Sequence, residues 1–137
     1  MLLLDLNSGD GRPIYGQIAD CVKFAVAGGV LRSGELVPSV RELSKQLVVN
    51  PNTVARAYRD LQAEGLLESV RGMGLQVAEG AGERCRAERR EIVRQRLRRA
   101  IEEARQSSLD PAEIETILRE EWARVSHPGN GKSLAPS

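Results

Sequence analysis

Asn52 and Arg56 lie one helical turn apart in the segment Asn50-Pro51-Asn52-Thr53-Val54-Ala55-Arg56-Ala57-Tyr58. Their side chains suit one kind of chemistry. Asn offers a donor and an acceptor that match the edge of adenine, and the planar fork of Arg matches the acceptors of guanine. On a wheel of 3.6 residues per turn, Val54, Ala57, Tyr58 and Leu61 form a core stripe. Asn52, Arg56, Arg59 and Ala63 fall on the opposite side. Thr53 borders that polar face, where it suits a phosphate or a thymine methyl. A polar face on an isolated amphipathic helix is ordinarily just solvated. The neighbouring elements therefore decide the reading.

Those neighbours are specific. Asn50 is a good N-cap, and Pro51 belongs at the first helical position, where no amide donor is missed. Upstream, Ser39 and Glu42 have the spacing of a capping box. A helix over about 40–47, an apolar corner at Val48-Val49 and a helix over about 51–64 make a helix-turn-helix. Gly65 ends the second helix. Leu66 to Val70 and Leu75 to Ala78 then flank Arg71-Gly72-Met73-Gly74, which reads as a β-hairpin. Ahead of all this, Ile14, Ile18, Val22, Ala25 and Val26 give a helix ending at Gly28-Gly29. The segment Val30 to Val37 offers one small strand. Helix, helix, helix, hairpin is a winged helix-turn-helix, whose second motif helix turns its first turns to DNA.

The same elements place further cations. Arg41 stands at the start of the first motif helix, where free amides accept phosphate, and Lys45 lies one turn on. The alternative for Arg41 is an ion pair with Glu42 or Glu64. Arg71 sits at the hairpin tip beside Gly72 and Gly74, which permit close approach to a groove or phosphate. Its alternative is a plain turn with a solvated Arg. Tyr58 reads as core, with its hydroxyl near the surface.

Taken together, these residues resemble the DNA-binding domain of the GntR family of bacterial transcription regulators. The matching text runs from Pro13-Ile14-Tyr15 with Gln17-Ile18 through Leu31-Arg32-Ser33-Gly34-Glu35-Leu36 and Pro38 to Leu43. It continues in Asn50 to Tyr58, Leu61, Glu64-Gly65-Leu66 and Arg71 to Gly74. The Asn-Pro-Asn-Thr-Val-Ala-Arg-Ala-Tyr form is similar to the YtrA-like and MocR branches, and the short helical piece over 83–125 is similar to the end of the YtrA-like branch. Many members carry arginines where this chain has Pro51 and Ala55, and a Thr-Phe pair in the wing where it has Leu75-Gln76. The resemblance implies a homodimeric repressor reading a short inverted repeat. The expected DNA-binding set is Ser39, Arg41 and Lys45 at the first motif helix, Asn50, Asn52, Thr53, Arg56 and Arg59 at the second, and Arg71, Gly72 and Gly74 at the wing.

Beyond Gly80-Ala81-Gly82 the composition shifts to Arg, Glu and Ala, typical of long helices. Ile92, Val93, Leu97, Ala100, Ile101 and Ala104 form one apolar stripe; Ser107-Ser108 interrupts it. Asp110, Pro111 and Glu113 then start a helix whose stripe is Ile114, Ile117, Leu118, Trp122 and Val125. Two single-stripe helices bury one seam and leave apolar surface wet, so pairing with a second copy is the economical outcome. Val93, Leu97, Ile101, Ile114, Leu118 and Trp122 are the expected dimer interface. The expected fold is mainly α with a small β-wing: a winged helix-turn-helix over 10–79, a helical dimerisation hairpin over 83–126 and a disordered tail over 127–137.

Charge is distributed unevenly. The net charge is +1, and residues 1–80 carry eight basic and nine acidic side chains. Residues 84–99 carry eight Arg and two Glu. DNA affinity in the first part must come from a local basic face. The Arg run is either a solvated face with ion pairs or an added phosphate surface.

Other functions find little support. No nucleophile–base pair, metal cluster or phosphate loop is legible, and the one histidine, His127, lies in a Gly- and Pro-containing tail, so the chain is not read as an enzyme and no cofactor is expected. The rival reading is a winged-helix protein–protein adaptor. No apolar run reaches the ~20 residues of a membrane span, and the start, with no basic residues before its Leu run, is not expected to act as a signal peptide. The chain is expected to be cytoplasmic, with Cys21 and Cys85 as reduced thiols, an interchain disulfide through Cys85 being the alternative. A hairpin of about forty helical residues leaves little room for a pocket of ~300 Å³, so a small-molecule effector would bind between subunits.

Overall fold

A computed structural model describes residues 12–126. The expectations for the chain's first residues and for the tail with His127 lie outside them. Five helices and two strands follow in the order α1 (Ile14–Ala27), α2 (Val40–Leu47), α3 (Pro51–Ala63), β1 (Leu67–Val70), β2 (Gly74–Val77), α4 (Ala81–Gln106) and α5 (Pro111–Ser126). This is a winged helix-turn-helix with a C-terminal helical region. Contacts divide the chain into two units, which meet between Ile92 and Val93.

In the first unit, α1 and α2 pack against α3, whose Val54, Ala57, Tyr58 and Leu61 are all buried. Ile18 and Val22 of α1 and Leu43 of α2 complete this centre. β1 and β2 pair antiparallel with Leu67 opposite Val77 and Val70 opposite Gly74. The segment before α2 joins them as a third, short element. Leu36 bridges Gln76, the Val37 amide donates to the Leu75 carbonyl at 2.9 Å, and the Val77 amide donates to the Glu35 carbonyl at 2.9 Å.

Both expected caps of the motif form. The Ser39 hydroxyl accepts from the Glu42 amide at 3.0 Å, and the Glu42 carboxylate accepts from the Ser39 amide at 2.9 Å. The Asn50 side-chain oxygen accepts from the Asn52 amide at 2.7 Å. The corner between the helices is only half apolar packing. Val49 packs against the core, whereas Val48 is 89% exposed and closes α2 in the left-handed region, at φ 56° and ψ 52°.

The helix after the wing starts earlier than Glu83. It begins at Ala81, inside the Gly80-Ala81-Gly82 stretch, and Ala81 and Cys85 are buried in the core of the first unit. Arg84 donates to the Glu64 carbonyl at the end of α3, at 2.6 Å. Lys23 of α1 lies between Glu64 at 3.1 Å and Glu88 at 3.3 Å. Burial pulls the Lys23 pKa down, but hydrogen bonding and the charges of Glu64 and Glu88 outweigh it and leave it raised. Cys85 is fully buried, and desolvation pushes its thiol pKa up. That place in the core argues against the interchain disulfide that the spacing of the cysteines leaves open.

In the second unit, Asp110 and Glu113 form the expected reciprocal cap of α5, at 3.1 and 3.0 Å. The apolar stripes stay open within the single chain. Val93, Leu97, Ile101, Ile117, Leu118, Trp122 and Val125 are exposed, Trp122 by 74%, while Ile114 is buried.

Candidate nucleic-acid interface

The Asn50 cap sets the start of α3 on the protein surface. The Thr53 and Val54 amides donate to the Asn50 carbonyl at 2.9 and 3.3 Å, so the helix is regular from its first turn. Since the Asn50 side-chain oxygen is used in the cap, its amide group is left to donate outward. Asn52, Arg56 and Arg59 are exposed, Thr53 is half-buried, and the core stripe faces inward. The structure thus places the polar face where the helical wheel puts it.

Tyr58 ties α3 to the segment that leads into α2. It is buried on α3, and its hydroxyl donates to the Pro38 carbonyl, just before the α2 cap, at 2.7 Å. Burial, with Glu42 adding to it, pushes the phenol pKa well above its ordinary value, so the donor stays protonated. Its hydroxyl is bonded within the protein and not offered to a ligand.

At the start of α2, the Ser39 oxygen accepts within the cap, which leaves its proton for an outside acceptor. Arg41 and Lys45 are exposed on the same helix. The two carboxylates that the sequence offers to Arg41 are engaged elsewhere, Glu42 in the capping box and Glu64 with Lys23. The Glu42 charge also offsets part of the positive helix end, so a phosphate here depends on Arg41 and Lys45.

The wing tip is a tight turn in which the Met73 amide donates to the Val70 carbonyl at 2.9 Å. Gly72 has φ 74° and Gly74 φ 116°, conformations that side chains resist. Arg71 is exposed at this tip. Gln76 donates to Glu68 across the strands at 2.7 Å, and Gln62 of α3 donates to Ser69 of β1 at 3.3 Å. The wing is therefore fastened to the helix whose polar face it flanks.

Sequence reasoning missed three features. The Arg56 guanidinium lies over the ring of Tyr15 from α1, its carbon 3.8 Å from the centroid. A cleft of about 610 Å³ opens between the wing and α2, lined by Leu31, Leu36, Val40, Met73 and Leu75 among others. It lies in the first unit, whereas the sequence directs attention to the C-terminal helices for any pocket. The third feature is the pairing of the buried Lys23 with two partly exposed carboxylates. Among the described residues no cluster of three or more His, Cys, Asp or Glu side chains could hold a metal.

Comparison with known proteins gives a consistent result. Residues 14–77 match the model of the bacterial regulatory proteins of the gntR family. The HTH-type transcriptional repressor YtrA of Bacillus subtilis is 29% identical over 123 residues, which cover 90% of this chain and 95% of that protein. A GntR family transcriptional regulator from Listeria monocytogenes superposes with a TM-score of 0.63 at 29% identity, over 81% of this chain and 96% of its own. YtrA from Sulfolobus acidocaldarius, a GntR-family transcription factor, is 31% identical, with a TM-score of 0.50 over 90% of this chain and 98% of its own.

Proposed function

The chain belongs to the gntR family of bacterial regulatory proteins, non-enzymatic DNA-binding transcription regulators, and from that premise we propose that it is a repressor that binds an inverted-repeat operator as a homodimer. The observation that carries the dimer is the open apolar surface of the second unit, where Val93, Leu97, Ile101, Leu118 and Trp122 stand exposed. Large apolar side chains left exposed in stripes along both helices support an association site, and a second copy offers matching stripes. Ile114 supports the seam from within, being buried in its own chain.

On DNA, Asn52 and Arg56 read base edges, with Thr53 and Arg59 beside them. Ser39, Arg41, Lys45 and Asn50 hold phosphates, and Arg71 reaches a groove or phosphate from a wing tip that Gly72 and Gly74 keep slim. The exposure of these side chains around one helix start supports this assignment. Repression is inferred from the similarity to the B. subtilis repressor. No described helix is long and apolar enough to cross a membrane; the cytoplasmic location proposed here rests on the DNA-binding family alone. The protein–protein adaptor is disfavoured because the polar face beside the α3 cap is left uncovered.

Light scattering on the free chain and on its complex with operator DNA tests this reading. Twice the 15.0 kDa chain mass is expected for the free chain, and the same two chains plus one duplex for the complex. A monomer bound to a single half-site would refute the dimer.

A further inference from the structure

Tyr15 lies in the first turn of α1, outside the helix-turn-helix, and is half-buried against the core. Several contacts fix that turn. The Gly16 and Gln17 amides donate to the Pro13 carbonyl at 3.0 and 3.2 Å. The Gln17 side chain donates to the Arg12 carbonyl at 3.0 Å, and Arg12 pairs with the buried Asp20. Arg12 runs over Gly16, where an added Cβ would meet its guanidinium at 2.8 Å. The ring is thus held on a rigid element, and α1 packs directly on α3.

Arg56 lies on this ring at 3.8 Å from Cζ to centroid. A free arginine on a helix samples many rotamers, and ordering it opposes binding. Stacking on an aromatic face restricts the side chain while leaving its in-plane donors available to a partner at the edge. Such a fork is what bidentate contact with guanine requires.

We infer that Tyr15 is a positioning residue for base recognition, which pre-orients Arg56 through the stack and so sets the strength of a single base preference. This rests on the proposal that Arg56 reads a base. It assigns to α1, which itself contacts no base in this account, a share of the specificity of α3. An exposed stack of this type corresponds to about 2- to 5-fold in a binding constant.

The test uses the full chain and a randomised double-stranded DNA library, from which base preferences are read by sequencing the bound fraction. Four variants are compared with the parent: Arg56→Ala, Tyr15→Phe, Tyr15→Leu and the double variant Tyr15→Leu/Arg56→Ala. Arg56→Ala is expected to flatten the preference at one position of the half-site. Tyr15→Leu should weaken the preference at that same position by about 2- to 5-fold and leave the others intact. Tyr15→Phe should preserve it, because the ring face remains. In the Arg56→Ala background, Tyr15→Leu should have no further effect on the profile. Equal loss at every position, an effect that persists without Arg56, or a sharpened preference in Tyr15→Leu would each overturn the inference. If Arg56→Ala flattens one position and Tyr15→Leu does not touch it, the inference fails while Arg56 stands as a base reader. An unchanged profile in Arg56→Ala removes the base-reading role itself, and the inference with it.

Discussion

Replacing Val48 with glycine should stabilise the protein. Val48 closes α2 at φ 56° and ψ 52°, a conformation that a β-branched side chain resists. The left-handed region costs an L-residue about 1–2 kcal/mol relative to its ordinary conformations. Little is lost by removing the side chain, since it is 89% exposed and buries almost no apolar area. The backbone contact is kept as well, because glycine retains the amide that donates to the Ser44 carbonyl. Against the gain stands the greater freedom of glycine in the unfolded chain, about 0.4–1 kcal/mol. The difference is a stabilisation of about 0.5–1 kcal/mol. For a domain of this size, that raises the melting temperature by roughly 2–8 °C. Urea denaturation of Val48→Gly, Val48→Asn and the parent measures it, and Asn, which tolerates this region, should shift in the same direction. A lower midpoint for Val48→Gly would refute the strain argument and show that the valine makes packing contacts worth more than its conformation costs.

Four further outcomes follow from the packing and the charges. Tyr58→Phe leaves the Pro38 carbonyl without its donor and should cost about 1 kcal/mol in denaturation experiments. Because the folded-state pKa values of Tyr58 and Lys23 are both raised, their contributions are fully present below pH ~10 and are lost as pH rises beyond it. Alkaline unfolding curves should therefore be shallower for Tyr58→Phe than for the parent. A chain ending at Ala81 loses the buried Cys85 and the Glu88 partner of Lys23, so it should be less stable than one ending at Ile92 by about 2 kcal/mol; both should be monomeric by light scattering. Replacing Arg86, Arg90 and Arg94 with Gln should leave the salt dependence of operator binding unchanged, because the proposed phosphate contacts lie on α2, α3 and the wing. Each phosphate that these arginines do neutralise would lower the slope of log affinity against log salt by about 0.9.

What could be read without coordinates was set by short-range chemistry. The caps at Ser39, Asn50 and Asp110 depend on side chains and amides two or three residues apart, so their spacing suffices. The core face of α3 follows from the helical period, and Val54, Ala57, Tyr58 and Leu61 are all buried. The period does not tell which neighbour an exposed side chain meets. Arg56 and Tyr15 are remote in the chain, and only the packing of α1 on α3 brings them together. Cys85 looked like part of a separate helical piece because glycines precede it. Yet α4 starts at Ala81 and lays its first turns on the core, with Arg84 bonded to the end of α3. A glycine pair signals local backbone freedom and carries no information on whether the next helix docks. Likewise Val48-Val49 read as one apolar corner, although a tight turn can point only one of two adjacent side chains inward.

The central claim is that this chain recognises a particular DNA sequence through the polar face of α3. Sequencing the fragments that the full chain retains from sheared genomic DNA tests it most directly, with the Asn52→Ala/Arg56→Ala variant run in parallel. The account predicts an enriched inverted repeat with half-sites about one helical turn or a multiple of it apart, and loss of that enrichment in the variant while weak non-specific retention persists. Retention without any shared sequence, or an identical motif from the variant, would contradict it.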